Sequence, residues 1–263
     1  MESLLLTFMS HGISDFMLQS TNLARRKAQR RLGAFLIHGL ITFFVLLLVL
    51  HFYSFGTMLP FIVVVTVLHI AVDYIKALLT PKNKYGLDLL WFLVDQLGHF
   101  LMIFVVWQWF DLSVNPAIAT FYQNLISPKT LTVLTQPVKP QLNYSFNQLL
   151  MIANGYIYIC IGGVFLVRKL LNSIEKQPLR VEHSSKIQSG TYIGILERFL
   201  ILTFVQCQSL PSVAFILTAK SIARFNELND RSFAEYYLMG TLTSTTMAIG
   251  GGFLLNFLAA WIR

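Results

Sequence analysis

His69-Ile70-Ala71-Val72-Asp73 sets an imidazole and a carboxylate four residues apart inside an apolar run. On an α-helix four residues turn through about 400°, so both side chains share one face, one turn apart. Asp95-Gln96-Leu97-Gly98-His99 repeats the pair in reverse order, and His11 with Asp15 makes a third pair near the N-terminus. A carboxylate at the middle of a membrane span costs roughly 2.5–3.5 kcal/mol on insertion scales, so such groups are rare and usually functional. The three pairs are read together as one metal site at the cytoplasmic edge of a membrane bundle.

The runs around these pairs decide the class. Of 263 residues 55% are hydrophobic and only 12% charged, against about 25% charged in soluble domains. Mean hydropathy is +0.62. Several runs reach the roughly 20 apolar residues that cross a bilayer, where only helices satisfy every backbone group within the span. The expectation is an all-α, polytopic helical transmembrane bundle of about six to seven hydrophobic helices. The net charge of +8 does not point to nucleic acid, because Lys and Arg lie in short loops between spans. Cys160 and Cys207 both fall in apolar runs and read as small hydrophobes rather than a disulfide. Met1-Glu2 lacks the basic flank and small-residue pattern of a cleavable signal.

In chain order, residues 3–19 form a short first helix, followed by the basic cluster Arg25, Arg26, Lys27, Arg30 and Arg31. Residues 33–55, 58–79 and 88–110 form the next three helices, completing a four-helix membrane unit over 1–110 with the His/Asp layer. Residues 111–146 read as an outer loop, broken by Pro116, Pro128, Pro137 and Pro140, with one short surface helix. Residues 147–263 form a C-terminal three-helix unit, with hydrophobic segments at 147–171, 192–218 and 233–262. The middle segment is expected to kink near Ser209-Leu210-Pro211. Gly240, Ser244, Ala248 and Gly252 give the last span a small-residue packing stripe.

The loops 25–31, 76–84 and 168–186 hold five, three and five Lys or Arg. The first two outer loops hold none and two, Lys129 and Lys139. This asymmetry places the N-terminus outside a multi-pass protein of the cell inner membrane. Residues 219–232 lie outside if 192–218 crosses fully, and inside if it is re-entrant.

Depth then sorts the polar groups. Asp15, His38, His69, Asp73, Asp95 and His99 all fall near the inner ends of helices that alternate in direction. Imidazole plus carboxylate is the ligand set of a divalent metal ion, zinc or manganese being favoured. The metal ligands are read as His11, Asp15, His69, Asp73, Asp95 and His99, with His38 as a further ligand or a base. Seven groups exceed the four of a closed zinc site, which suggests an open catalytic site, supporting partners for the histidines, or two ions. The catalytic set is read as His38, Asp73, Asp95, Lys76 and Arg198. Lys76 has three readings: it pairs with Asp73, touches a substrate phosphate, or snorkels to the surface. Glu197-Arg198 is either a local ion pair or a clamp on an anionic head group. Gln19 and Gln96 read as supporting donors or interhelical hydrogen bonds, His51 as interfacial and His183 as a loop residue. Lys220 and Arg224 suit a phosphate or a solvated face, and Glu235 the start of a helix.

The motifs HGISDFMLQS, LIHGL, HIAVDYIK and DQLGH, in that order, resemble an uncharacterised family of bacterial integral-membrane proteins, the domain of unknown function numbered 3307. That resemblance covers residues 1 to about 110. GILERFLI, AKSIARF and EYYLMGTLTS are similar to the C-terminal half of its longer members. It implies a membrane location and no activity. The pattern is also similar to predicted membrane-bound metal-dependent hydrolases. The leading functional reading is a metal-dependent hydrolase acting on a membrane lipid or lipid-linked phosphate, with Arg198 and Lys76 neutralising developing charge. The rivals are a transporter or channel for divalent cations or protons, and a non-catalytic scaffold. No nucleic-acid partner is expected, and a homo-oligomer stays open.

Overall fold

The computed structural model describes residues 1–80, 87–125, 144–174 and 184–262. Lys82, Lys84, Pro128, Lys129, Pro137, Lys139, Pro140, Lys176, Arg180 and His183, which enter the loop and topology expectations, lie outside them. The described chain is all-α, with no strand and one isolated bridge, Tyr53 to Val114. Among the described residues, five helical stretches are long and apolar enough to cross a membrane: Leu32–Val49, Phe55–Leu79, Asp88–Trp107, Phe146–Ser173 and Arg231–Trp261.

The chain divides into two compact units. The first holds Met1–Leu79 and Leu97–Leu150; the second holds Thr80–Gln96 and Met151–Arg263. The boundary cuts through the helix Asp88–Trp107.

In the first unit, α1 (Glu2–Gly12) runs on into a π-helical segment, Ile13–Leu18. The expected single helix over 3–19 therefore changes pitch just after His11. A short helix, α2 (Thr21–Ala28), follows and carries most of the basic cluster. Ser20 starts it, its hydroxyl accepting the Leu23 amide at 3.2 Å, as an N-cap should. Then come α3 (Leu32–Val49), α4 (Phe55–Leu79), α5 (Asp88–Trp107) and the short α6 (Pro116–Leu125). α3 stops at Val49 rather than 55, because residues 50–54 turn to meet 113–115. The Ser54 amide donates to the Ser113 carbonyl and the Asn115 amide to the Phe52 carbonyl, both at 2.8 Å.

That end of the unit is also fixed by Trp107, whose indole donates to Ser3 Oγ at 2.9 Å. Burial and the nearby Glu2 push the Tyr53 hydroxyl above its ordinary range, and a hydrogen bond with Ser3 pulls it partly back. Between this end and the His/Asp layer the core is apolar: Leu4, Leu46, Phe61, Ile62, Val65, Ile103 and Val106 are all buried. Gly39 sets how closely α3 and α4 approach. A Cβ there would run into the Ile70 side chain. That approach brings His38, next to Gly39, level with His69, next to Ile70.

In the second unit, α7 (Phe146–Tyr156) passes through another π-helical segment, Ile157–Gly162, into α8 (Gly163–Ile174). The expected segment 192–218 is two helices, α9 (Ser184–Gln206) and α10 (Pro211–Ala223). Residues 207–210 between them are no mere kink: Gln208 adopts φ 57° and the chain reverses. Lys220, near the end of α10, lies 2.5 Å from Glu197 in α9, so α10 returns alongside α9 as a hairpin. Thirteen residues of α10 cover about 20 Å, short of the roughly 30 Å hydrocarbon core. The expected single segment is thus two antiparallel helices, with Lys220 brought back to the level of Glu197. α11 (Arg231–Trp261) then begins under an Asp230 cap, whose carboxylate accepts the Ser232 and Phe233 amides. Its small-residue stripe is a packing face: Ser244, Ala248 and Gly252 are buried. Ala248 joins Ile201 and Val213 in the core of this unit.

Candidate metal centre

Four helical segments of the first unit each bring polar groups to one level. α1 supplies His11, the π-helical segment Asp15, α3 His38, and α4 both His69 and Asp73. The π-segment has a wider turn than an α-helix. It leaves His11 Nδ1 and Asp15 Oδ1 3.6 Å apart and buries Ser14 beside them. The Ser14 hydroxyl lies 3.0 Å from the His11 carbonyl and 3.2 Å from Asp15 Oδ1, acceptors for its one proton. All of these side chains are buried, and His38 and His69 are essentially closed to solvent.

The centre of the arrangement is four atoms. His38 Nε2 and His69 Nε2 are 2.9 Å apart. Asp15 Oδ1 lies 3.3 Å from the first and 3.4 Å from the second. Asp73 Oδ2 lies 3.4 Å from His38 Nε2 and 3.9 Å from His69 Nε2. Hydrogen bonding alone accounts poorly for this convergence, because each Nε2 carries at most one proton yet faces three neighbours. A metal ion accounts for it directly. Bonds of about 2.0–2.1 Å to nitrogen and oxygen put tetrahedral ligand atoms about 3.3–3.4 Å apart. The separations made by His38 Nε2 and His69 Nε2, 2.9–3.9 Å, bracket that edge. His38, His69 and Asp73, and likewise His11, Asp15 and His69, form groups able to hold an ion.

Two further imidazoles extend the layer. His99, on α5, packs against His69 with ring centroids 4.4 Å apart, and His11 stacks on His99 at 4.8 Å. The other nitrogen of His38, Nδ1, is buried with no hydrogen-bond partner among the described residues. Its tautomer is therefore set by what its Nε2 meets in the cluster. Gly39, beside His38, and Ile70, beside His69, are the packing pair that brings these two rings together.

One member of the site lies outside the expected set. Lys27, from α2, buries its ammonium 2.5 Å from Asp73 Oδ2. α2 is held in place for this by Leu23, buried one turn earlier, and by Arg30. Arg30 adopts φ 60° and donates to the Ala77 and Leu78 carbonyls at the end of α4, at 3.0 and 3.1 Å. A signal exists in the sequence: Leu23 and Lys27 are four residues apart behind a Ser N-cap, the spacing of an inward helix face. Lys76, the lysine expected near Asp73, lies half-buried on α4 one turn beyond it.

Asp95, also expected as a ligand, is buried on α5 one turn before His99, and the Gln96 side-chain amide donates to it at 3.2 Å. Arg198 lies in the second unit. Its Nε and Nη2 both donate to the Cys160 carbonyl, at 3.1 and 2.7 Å, and its Nη1 to Ser244 Oγ at 3.1 Å. It thereby satisfies a carbonyl of the π-helical segment and ties it to α11. Glu197 pairs with Lys220 rather than with Arg198. Arg224 pairs with Glu227, and Arg231 with Glu235. His51 lies at the opposite end of α3, its Nε2 2.7 Å from the Tyr122 hydroxyl.

Residues 3–127 match the model of a family described as "Protein of unknown function (DUF3307)". The match takes in His11, Asp15, Lys27, His38, His69, Asp73, Asp95 and His99. No curated protein matches the chain, and no solved structure does.

Proposed function

We propose, for a chain whose residues 3–127 belong to that uncharacterised family, that the first unit binds a divalent metal ion and uses it to hydrolyse a phosphate ester carried by a membrane lipid. The observation that carries this reading is that His38 Nε2 and His69 Nε2, 2.9 Å apart, each have Asp15 Oδ1 and Asp73 Oδ2 within 3.9 Å, near the spacing of donors around one ion. Two nitrogens and two oxygens as donors favour zinc, with manganese second. When bound, the ion lowers the pKa of a coordinated water toward about 7 and polarises the scissile group.

The protein's own groups divide the work. His38, His69, Asp15 and Asp73 hold the ion. His11, against Asp15, is placed to take a proton from the attacking water, with the carboxylate orienting its ring. Lys27 balances Asp73 and offers positive charge for a phosphoryl oxygen. Lys76, one turn beyond Asp73, adds charge on the same side. His99 backs His69, and Asp95 precedes His99 by one turn on α5. A bacterial inner-membrane location, with this end facing the cytoplasm, accords with the basic residues gathered there.

The transport reading has less support. Toward the Ser3 and Trp107 end, the buried side chains are apolar or hydroxyls such as Thr7 and Thr42, which bond back to carbonyls of their own helix. The test is metal analysis of the purified full-length chain, with release of phosphate from short-chain phosphatidic acid in mixed micelles. Bound zinc or manganese at about one ion per chain, lost in His69→Gln and Asp73→Asn together with activity, is the expected result. A metal-free wild-type protein that stays metal-free after incubation with zinc and with manganese would refute the centre. A loaded protein that hydrolyses no lipid phosphate would refute the hydrolase alone.

A further inference from the structure

α2 and the turn after it carry five basic residues and no acid, over residues 21–31. Two are already committed: Lys27 to Asp73, and Arg30 to the carbonyls that end α4. Three remain, Arg25, Arg26 and Arg31, and among the described residues none has a carboxylate partner. Arg25 and Arg31 are exposed. Arg26 is half-buried, and its Nε is enclosed without a hydrogen-bond acceptor among the described residues. A guanidinium whose N–H is withdrawn from water and unmet by protein is incomplete without a bound oxygen acceptor.

The neighbours of these arginines indicate which acceptor. Met17 and Leu18 just before α2, and Leu32 just after it, expose half or more of their surface. Leu32 opens α3, one of the membrane-length helices. α2 thus sits where polar chain meets apolar span, with apolar side chains at both ends and arginines between them. Amphipathic, cation-rich helices at such a junction lie in the head-group layer of a bilayer. Guanidinium groups bind phosphate oxygens bidentately, and juxtamembrane arginines attract anionic lipids. α2 is also fixed near both ends, by its Ser20 cap and by the hydrogen bonds of Arg30.

We infer that Arg25, Arg26 and Arg31 form a binding surface for the phosphate head group of an anionic phospholipid. This surface is distinct from the four-atom centre and does not depend on the metal reading. A nucleic acid or an acidic protein would meet the arginines but leave Met17, Leu18 and Leu32 uncovered.

The test uses the full-length chain reconstituted in phosphatidylcholine vesicles containing spin-labelled phosphatidylglycerol or spin-labelled phosphatidylcholine. The readout is the preference of the motionally restricted lipid shell for the anionic probe. The wild-type protein is expected to prefer phosphatidylglycerol, and the preference to fall with added salt. Each arginine near an anionic surface contributes about fivefold. The triple variant Arg25→Gln/Arg26→Gln/Arg31→Gln is therefore expected to lose the preference, while Arg231→Gln, at an exposed pair on α11, keeps it. If the triple variant does not fold, the exposed single variant Arg25→Gln should show a partial loss. Equal restriction of both lipids by the wild type, or full preference in the arginine variants, would overturn the inference. Parallel samples stripped with EDTA separate this result from the metal centre: the lipid preference is expected to survive removal of the ion.

Discussion

Replacing Lys27 with methionine removes one charge and little volume, and the structure says what that should cost. Lys27 and Asp73 have side chains only 10% and 5% exposed, and they face each other at 2.5 Å. Breaking a buried pair by deleting one partner costs about 3–5 kcal/mol, because the other charge is left uncompensated. In metal-free protein Lys27→Met should be destabilised by about that amount. Lys27→Met/Asp73→Asn should recover most of it, since no buried charge is stranded. A bound divalent ion supplies the missing positive charge at Asp73. It should also stabilise any competent form by about 2.7 kcal/mol at one hundred times its dissociation constant. The gap between wild type and Lys27→Met should therefore narrow when zinc is present. The assay is unfolding of the detergent-solubilised chain, monitored by circular dichroism, for wild type, both single variants and the double variant, with zinc and with EDTA. If Lys27→Met unfolds like wild type in EDTA, or the double variant is no better than the single one, Lys27 and Asp73 are not a buried, mutually dependent pair.

Neighbouring features carry further expectations. Gly39→Val should force α3 and α4 apart at Ile70, costing about 1–3 kcal/mol and the bound ion together, whereas Gly33→Ala, with open space around it, should keep the ion and melt no lower than wild type. In the second unit Lys220→Met should lower the melting temperature more than Arg224→Gln, because Glu197 is buried while the Arg224–Glu227 pair is exposed and worth at most about 1 kcal/mol. Asp230→Ala should cost about 1 kcal/mol by uncapping α11, measurable by the same thermal unfolding.

Much of this arrangement is legible in the residues, for reasons that differ from place to place. His69 and Asp73 stand out because an imidazole and a carboxylate one helical turn apart in an apolar run are costly to bury without a shared partner. The membrane-length helices stand out because hydrocarbon requires long apolar runs. His38 stands in the sequence as a lone imidazole, but its role as a partner of His69 depends on Gly39 admitting Ile70, a contact between helices that no local pattern encodes. Lys27 is hidden among four arginines of the same cluster. What distinguishes it is the inward face it shares with Leu23, and that face exists only once residues 21–28 are helical. The hairpin of α9 and α10 is half visible: Pro211 marks the break, but only the pairing of Lys220 with Glu197 shows that the chain turns back. Neither π-helical segment carries a sequence signal, since their residues would be unremarked in an α-helix.

The first of those segments has a consequence for how this centre is gained or lost. Ile13–Leu18 accommodates its residues in a looser winding than the helix before it. Deleting one residue there would let the coil tighten to ordinary pitch with little net rotation downstream, because the wide turn already takes up that residue. Tightening without a deletion would instead swing everything downstream by about 100° around the axis and turn Asp15 away from His38 and His69, without any substitution at a ligand position. In this architecture the winding between residues 12 and 18 acts as a setting in its own right.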